Sequence, residues 1–187
     1  MSDPPPLRRR RSIRLPDHDY ANPGIYFVTI CAQDHRCLFG DVVNCELQQN
    51  DAGFAISSWW DKLPEKFPSI VLDAFVLMPN HLHGIIHIAG VGSVAGRPHG
   101  AAPTLGVMIA WFKSMTTNEY IRGVRDHGWL PFETRLWQRS YYEHIVRGDS
   151  DLESIRNYMI ANPDKWPTDP ENPSARRAPK QSSPWEV

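Results

Sequence analysis

The sequence predicts an α+β fold of the ferredoxin-like or RRM-like kind, in which helices cover one face of a mostly antiparallel sheet. Short β-branched and aromatic runs alternate along the chain with segments of helical periodicity. Two of the strand-like runs follow each other closely, as the two arms of a hairpin do. In a chain of 187 residues of which 41% are hydrophobic, this interleaved order favours one core built from a sheet and its helices.

The first half of the chain contains three predicted elements. The run from Tyr26 to Cys31 is short, aromatic and β-branched and predicts a strand, and a shorter strand or hairpin arm is predicted near residues 42–47. Residues 51–63 predict a helix, because apolar side chains recur there three and four positions apart. These side chains are Ile56, Trp59, Trp60 and Leu63. We expect Pro64 to end this helix.

The middle of the chain predicts two core strands, Ile70 to Met78 and His81 to Ile88, because both runs are almost continuously apolar. Residues 89–103 are rich in glycine and alanine, which predicts a flexible loop. Thr104 then is a candidate N-cap for a second amphipathic helix. The apolar face of that helix is Leu105, Met108, Ile109, Phe112 and Met115.

The last two predicted elements are a strand and a helix. Residues 135–146 are aromatic and β-prone, which predicts one strand or a hairpin. Ser150 and Glu153 have the spacing of a capping box, so a helix is expected to begin there, and Pro163 is expected to end it after Asn162. The buried stripe of this helix is Leu152, Ile155 and Met159.

Composition divides the chain into three parts. Residues 16–166 are the predicted folded domain, residues 1–15 predict a flexible basic arm, and the proline-rich residues 167–187 predict a disordered tail. The basic block of the arm, which is either solvated or in contact with phosphate, is Arg8, Arg9, Arg10 and Arg11. Because the net charge of the whole chain is only −1, its total charge does not indicate a nucleic-acid-binding protein.

Cysteine content and hydropathy exclude several other classes. Cys31, Cys37 and Cys45 are odd in number and lack the C-x₂-C spacing of zinc ribbons, so neither a disulfide framework nor a cysteine metal site is expected. No apolar run approaches the roughly 18 residues of a membrane span, and the opening residues lack the apolar run of a secretory signal. We therefore expect a cytoplasmic protein that does not contact a membrane.

His81 and His83 are the strongest candidates for chemistry. Alternate residues of a strand face the same side, so these two imidazoles should stand next to each other while Leu82 faces the opposite side. Their separation suits two ligands of one divalent metal ion. From spacing alone, two hydrogen-bonded histidines without a metal remain the alternative. His87 is on the same face, too far away to bind the same ion without help.

Tyr158 and Asn162 are the second pair of candidates. A spacing of four residues places them on one side of a helix, at the polar border of its buried stripe. Tyr158 could there act as a nucleophile, and the amide oxygen of Asn162 could be a third metal ligand. The alternative is that Tyr158 is an amphipathic residue at the edge of the core and that Asn162 only ends the helix.

Several motifs together resemble one protein family. The string FVLMPNHLHGIIHI resembles the HUH motif (histidine, hydrophobic residue, histidine) of single-tyrosine transposases, and NYMIANPDKW resembles their tyrosine-bearing helix. GIYFVTIC, LGVMIAWFKSMTT and LWQRSYYEHIVR agree with the same family in the same order. From about Ile13 to Trp166, the chain therefore resembles a REP-associated tyrosine transposase.

This resemblance implies a strand transferase that acts on single-stranded, hairpin-forming DNA. It implies that His81 and His83 hold Mg²⁺ or Mn²⁺, that Tyr158 attacks phosphorus to form a 5′-phosphotyrosine link, and that a 3′-hydroxyl leaves. Many members of the broader family carry glutamine where this chain has Asn162, so the third ligand is less firmly implied than the histidines. Related enzymes include both helix-exchanging dimers and monomers, so a homodimer and a monomer both stay open.

The DNA-binding residues are predicted from arginines interleaved with aromatic residues, which suit phosphates and unstacked bases. These candidates are Arg135, Trp137, Arg139, Tyr141 and Arg147, with Lys113 and the arm residues Arg8 to Arg11 as weaker ones. A strand whose aromatic side chains face the core is the alternative for the first group.

Two rival functions also follow from the sequence. One is a domesticated member that binds DNA or RNA hairpins without cutting them. The other is an unrelated metal-dependent phosphoesterase that leaves no protein-linked product.

Overall fold

A four-stranded antiparallel sheet organises the parts of the chain that this computed structural model describes, residues 23–89 and 103–175. The strands of these ranges are β1 (Gly24–Cys31), β2 (Gly40–Val43), β3 (Glu46–Gln49), β4 (Ile70–Leu77), β5 (His81–Ile88) and β6 (Tyr142–Ile145). The α-helices are α1 (Asp51–Asp61), α2 (Leu63–Lys66), α3 (Leu105–His127), α4 (Asp149–Ile160) and α5 (Asn162–Lys165).

The order of the main sheet is β4-β5-β1-β6, and all three pairings are antiparallel. Along the chain the elements β1, α1, β4, β5, α3 and β6 form a β-α-β-β-α-β series, which confirms the predicted α+β, ferredoxin-like class. Both predicted core strands in the middle of the chain are present, and the turn between them contains Pro79 and Asn80.

Helices cover both faces of the sheet, whereas the sequence prediction placed them on one. Leu82, Ile86 and Ile88 of β5 join the large apolar cluster that also contains side chains of α1 and α3. On the other face Ile85 packs with Ile155 of α4. The prediction was wrong on this point because the amphipathic stripe of a helix does not indicate which face of a sheet it covers.

Two helix and hairpin boundaries in the first half differ from the prediction. The region near residues 42–47 is a complete hairpin of β2 and β3, whose turn residues Asn44 and Cys45 have positive φ of 53° and 64°. Pro64 does not stop the chain from being helical, because it lies in the first turn of the short helix α2, where no backbone N–H is needed.

Helix α3 begins as predicted, since the Thr104 side chain accepts a hydrogen bond from the Val107 N–H. It continues to His127, well beyond the predicted apolar face. Gly128 follows as its C-cap, with a φ of 69° in the left-handed region. Residues 90–102, most of the predicted flexible loop, lie outside the described residues.

The predicted strand at residues 135–146 is mostly irregular. Only Tyr142–Ile145 is a strand, and Trp137 forms an isolated bridge with Ala32. The predicted capping box is also wrong: the N-cap of α4 is Gly148, with φ of 92°, two residues before Ser150, and no side chain caps the helix. Pro163 lies in the first turn of α5, so the chain continues helically through Asn162.

The described part of the C-terminal region folds back onto the sheet. A 3₁₀ turn spans Trp166–Thr168, and Asp169 is buried. The predicted disordered tail is therefore wrong for residues 167–175, while residues 176–187 lie outside the described residues, as does the whole predicted arm with Arg8 to Arg11. Within the described ranges, no helix has the length and apolar character needed to span a membrane.

Candidate active site

The two histidines of β5 stand next to each other at its beginning, as predicted. Their Nε2 atoms are 3.2 Å apart and their ring centroids 4.7 Å apart. Both side chains are buried, with 0% of His81 and 3% of His83 exposed. They lie on the face that α4 covers, because odd-numbered residues of β5 point to that side.

Asn80 fixes the tautomer of His81. The Asn80 Nδ2 group donates to the backbone carbonyls of His35 and Glu171, so its Oδ1 faces the imidazole. An amide oxygen only accepts hydrogen bonds, and His81 Nδ1 lies 2.8 Å from it. Nδ1 therefore carries the proton, and a lone pair is left on His81 Nε2.

Thr29 and Asn162 orient His83 in the same way. His83 Nε2 is 3.3 Å from Asn162 Nδ2, an amide donor, so this nitrogen carries a lone pair. The proton then belongs on His83 Nδ1, which is 2.7 Å from the Thr29 hydroxyl. Each imidazole consequently has its Nε2 lone pair inside the protein, 3.2 Å from the other Nε2, and the lone pair of His83 is also within reach of the Asn162 amide.

Burial keeps both imidazoles neutral. Desolvation, with a smaller effect of His35, lowers the pKa of His81 to about 3. Desolvation, with a smaller effect of His81, also lowers the pKa of His83 well below its ordinary value. Neutral imidazole is the form that binds a metal ion, so the pair is ready for one at pH 7.

Tyr158 of α4 lies against His83, with ring centroids 5.3 Å apart. Phe27 of β1 supports both rings: it stacks on His83 at 5.4 Å and meets Tyr158 edge-on at 6.2 Å. Burial, with a smaller effect of the Asp169 carboxylate, raises the pKa of Tyr158 to about 12, and the Asn162 amide opposes this rise. The phenol is thus protonated until something favours its anion.

Asn162 completes the group at the first residue of α5. Its side chain is buried, and its Oδ1 has no hydrogen-bond partner among the described residues. An unpaired buried acceptor next to two convergent lone pairs is the donor set of a cation site. The structure thus brings His81, His83, Tyr158 and Asn162 together.

A divalent ion fits this donor set. For metal–ligand distances of about 2.1 Å, nitrogens separated by 3.2 Å subtend about 100° at the ion, between octahedral and tetrahedral values. No group of three His, Cys, Asp or Glu side chains that could hold a metal occurs in the described ranges. The amide oxygen, water or a substrate phosphate would therefore have to complete the coordination.

Sequence reasoning missed the residues that support this site. Thr29, Asn80 and Phe27 orient or pack the histidine rings, and Asp169 acts on Tyr158 through its charge. Thr29 was detectable as a lone polar residue in the apolar strand β1, and Asn80 as the amide next to His81. Nothing in the local sequence indicates that Asp169 folds back to the site.

His87 is not part of the metal site. Its Nε2 is 3.0 Å from Asp73 Oδ2, and Ile85 separates it from the histidine pair on the same face. The prediction that it lies too far along the strand is consistent with this arrangement.

Two DNA-binding candidates have structural roles instead. Trp137 is buried and donates from its indole N–H to Thr116, so its ring cannot stack on a base. Lys113 Nζ donates to the carbonyls of Gln138 and Ser140 at 2.9 and 3.0 Å, and burial lowers its pKa to about 8. The prediction failed for these residues because an irregular segment, rather than a strand, lies over α3.

The remaining candidates in this region are more accessible. Arg135, Arg139 and Arg147 are exposed, and the first two line an open groove of about 600 Å³ between α3 and the segment 132–139. Tyr141 is half-buried against the large core. The arginine candidates on this segment are therefore available to a ligand, and the aromatic ones are largely committed to packing.

The fold and the site define a ferredoxin-like domain in which a His-hydrophobic-His pair faces a tyrosine from an added helix. No model of a known protein family matches the sequence. The chain is 35% identical over 179 residues to an uncharacterised protein of Haemophilus influenzae, across 87% of this chain and 93% of that protein. It therefore belongs to the same family as that protein.

A second, more distant relative has a descriptive name. The chain is 24% identical over 151 residues, 79% of its length and 74% of the relative's, to a Haemophilus influenzae protein named "Putative REP-associated tyrosine transposase". The resemblance predicted from the motifs is confirmed, and the chain is related to transposases.

Two solved structures are also similar to the chain. One is described as a REP-associated tyrosine transposase bound to a REP hairpin, at 19% identity and a TM-score of 0.48, across 76% of this chain and 67% of that one. The other is a putative transposase from Deinococcus radiodurans, at 12% identity and a TM-score of 0.43, across 84% and 98%. Because both TM-scores are below 0.5, the fold assignment rests on this chain's own topology.

Proposed function

We propose that this protein is a metal-dependent DNA strand transferase that cleaves and rejoins single-stranded, hairpin-forming DNA of the REP type. One observation carries the proposal: the ring of Tyr158 adjoins a buried pair of imidazoles whose lone pairs converge. The relationship to transposases supports the reaction class, and the name of the second relative supports the kind of DNA.

In this proposal His81, His83 and the Oδ1 of Asn162 hold Mg²⁺ or Mn²⁺. The ion, when bound, withdraws charge from the scissile phosphate and so makes phosphorus more susceptible to attack. Asn80 and Thr29 keep the imidazole lone pairs directed at the ion by holding the Nδ1 protons.

Tyr158 is the proposed nucleophile. Its Oη forms a bond to phosphorus and loses its proton, while the bond from phosphorus to the 3′ oxygen breaks and that oxygen leaves as a 3′-hydroxyl after taking up a proton. The product is a 5′-phosphotyrosine link. A 3′-hydroxyl attacking the same phosphorus reverses the step and rejoins the strands, so no ATP is consumed.

The groove beside α3 is the proposed binding surface for the phosphates of the DNA. Arg135 and Arg139 line it, and its lining in the described residues contains no Asp or Glu. Exposed arginines of this kind pair with phosphates without reading sequence. Sequence reading then falls to bases exposed beside the hairpin.

The groove lies at the end of the sheet that carries the histidines. The Gln138 N–H donates to the Cys31 carbonyl at 2.9 Å, and Cys31 is the β1 residue paired with His81. A strand bound in the groove would therefore pass this end of the sheet to reach the proposed active site, which lies on the opposite face.

The experiment mixes the full-length protein and labelled hairpin oligonucleotides, taken from the DNA around its own gene, with Mn²⁺ or Mg²⁺. Products are separated on a denaturing gel. We expect a labelled band at the mass of the protein that is lost in Tyr158→Phe and with EDTA. Tyr142→Phe is the matched control, because Tyr142 is also in ring contact with Phe27 but is not in the proposed chemistry.

Each rival gives a different pattern. Tight hairpin binding without cleavage or adduct, with either metal and several hairpins, would favour the domesticated binding protein and contradict the transferase. Metal-dependent cleavage that leaves no label on the denatured protein would favour the phosphoesterase.

A further inference from the structure

Outside the active site, a charged cluster fastens α4 to the edge strand β4. The guanidinium of Arg156 binds the carboxylate of Asp73 in a bidentate manner, with Nε to Oδ1 at 3.0 Å and Nη2 to Oδ2 at 2.6 Å. His87 Nε2 lies 3.0 Å from the same Oδ2. Accordingly, the Arg156 hydrogen bonds are the main cause of an Asp73 pKa below its ordinary value.

A β-bulge places Asp73 where it can receive Arg156. The pairing of β4 with β5 shifts register between Leu72 and Phe75, which both pack towards the large core. Ala74, between them, packs on the opposite face, which α4 covers. The Asp73 carboxylate also accepts the Ala74 N–H at 2.7 Å, so it satisfies a backbone group at the irregularity.

A second carboxylate fastens the first turn of α4 near β6. Asp151 Oδ2 lies 2.9 Å from His144 Nε2 and accepts the Arg147 N–H at 2.8 Å. Burial alone would raise the pKa of Asp151, but these hydrogen bonds outweigh it and the pKa is lowered. Helix α4 is thus held by one carboxylate on β4 and by one of its own that contacts β6 and the following loop.

The two attachments are on opposite flanks of the helix. At about 100° per residue, Arg156 lies about 70° to one side of the middle of the buried stripe. Asp151 and Tyr158 lie about 70° and 90° to the other side. The stripe itself makes only apolar contacts, and such contacts do not favour one rotation of the helix over another nearby one. The hydrogen-bonded attachments therefore determine how the helix is rotated about its axis.

The rotation of α4 determines where the Tyr158 hydroxyl lies, because the tyrosine side chain extends far from the helix axis. The phenol oxygen of a tyrosine lies roughly 8–9 Å from the axis of its helix, so a rotation of about 20° moves it about 3 Å. Attack on phosphorus requires reacting atoms within about 3.5 Å, and a misplacement of about 1 Å costs about 100-fold in rate. A helix without its flanking attachment would hold Tyr158 out of position most of the time.

We propose that Asp73 and Arg156 are positioning residues for Tyr158, with Asp151 and His144 as the opposing attachment. They fix the rotation of α4 and do not touch the DNA or the metal ion. This inference rests on the proposed function, since it assigns these residues a role in placing the proposed nucleophile.

The test uses the full-length protein with 3-fluorotyrosine incorporated only at position 158, so that the ¹⁹F spectrum reports the surroundings of that ring independently of activity. The variants are Asp73→Asn and Arg156→Gln. Arg122→Gln is the matched control, because it removes an ion pair with Glu119 on the exposed side of α3. Hairpin affinity and the single-turnover rate of adduct formation at saturating DNA are measured with the unlabelled proteins.

We expect the ¹⁹F resonance to shift or broaden in both variants and to stay unchanged in the control. The adduct rate should fall about 10- to 100-fold, while hairpin affinity stays within about twofold. Arg156→Lys keeps the positive charge but cannot make the bidentate hydrogen bonds to Asp73, so it should give an intermediate rate of adduct formation.

Two outcomes would overturn the inference. One is an unchanged resonance and rate in both variants, and the other is a parallel loss of rate, hairpin affinity and folded protein, which would indicate a purely structural role. If the unmodified protein forms no adduct at all, the proposed function fails, and the ¹⁹F spectra alone then decide whether this ion pair positions Tyr158.

Discussion

The two faces of the central sheet differ in what they bury. On the face covered by α1 and α3, alternate residues of β5 such as Leu82 and Ile86 join a large, almost entirely apolar core. On the face covered by α4, the same strand presents His81 and His83 next to a much smaller apolar cluster. One strand therefore contributes to a structural core with one side and to a candidate active site with the other.

The first face mainly stabilises the fold, and the second face mainly provides the candidate active site. Apolar burial on the first face provides the driving force for folding, at about 25 cal/mol per Å². Buried imidazole and amide groups on the second face contribute little net stability and need partners such as Thr29 and Asn80. Substitutions on the two faces should consequently give different measurements.

The largest effect on stability is expected for Trp60→Ala on the apolar face. Trp60 is 1% exposed, stacks on Phe75 and meets Phe112 edge-on, so its removal leaves a cavity. We expect a loss of about 3–5 kcal/mol in the free energy of unfolding, measured with urea. Phe54→Ala, on the same helix but 63% exposed, is the control and should cost well under 1 kcal/mol. Equal losses would contradict the division between the faces.

Substitution of the histidines should change metal binding rather than folding. Mn²⁺ should raise the melting temperature of the unmodified protein, since a ligand that binds only the folded state stabilises it. This rise should disappear in His81→Asn and His83→Asn and persist in His87→Asn. Thr29→Val, which removes the partner of His83 Nδ1, should weaken Mn²⁺ binding about 10- to 100-fold. Retention of the rise in both histidine variants would place the ion elsewhere.

The contribution of Asp73 should depend on pH in a defined direction. Its pKa in the folded protein is below the ordinary 3.8, first because of Arg156, so its ionised form stabilises the fold above pH 4. That stabilisation should be lost as pH falls below about 4 through the folded-state pKa. The stability difference between the unmodified protein and Asp73→Asn, from urea unfolding at several pH values, should therefore shrink with acidification. A constant difference down to pH 2 would contradict the ion pair.

The smallest effect is expected from a single arginine of the groove. Arg135→Gln should weaken binding of all hairpins similarly and lower the slope of log affinity against log salt by about 1, because one phosphate contact is lost. Arg125→Gln, which removes an exposed arginine paired with Asp126, is the control and should leave the slope unchanged. Equal slopes for all three proteins would remove Arg135 from the interface.

The sequence predicts the centre of the site better than its surroundings. The pairing of His81 with His83 follows from strand alternation, and the proximity of Tyr158 to Asn162 follows from helical spacing, which survives the junction at Ala161. Both are local regularities that need no knowledge of tertiary structure.

The remaining features depend on tertiary contacts. Asp73 interrupts an apolar run, and only the bulge and the distant Arg156 give it a partner. Trp137 lies among arginines and aromatic residues, as a base-stacking residue would. The backbone bridge to Ala32 instead directs its side chain into the core. The face that α4 covers and the return of Asp169 are likewise set by long-range packing, which no short pattern encodes.

The most direct test of the central claim is to identify the residue that becomes linked to DNA. The protein is incubated with a hairpin oligonucleotide and Mn²⁺, digested with nuclease and trypsin, and analysed by mass spectrometry. The account predicts a 5′-phosphonucleotide on the peptide that contains Tyr158 and on no other peptide. A nucleotide attached to a different residue, with the Tyr158 peptide unmodified, would contradict it.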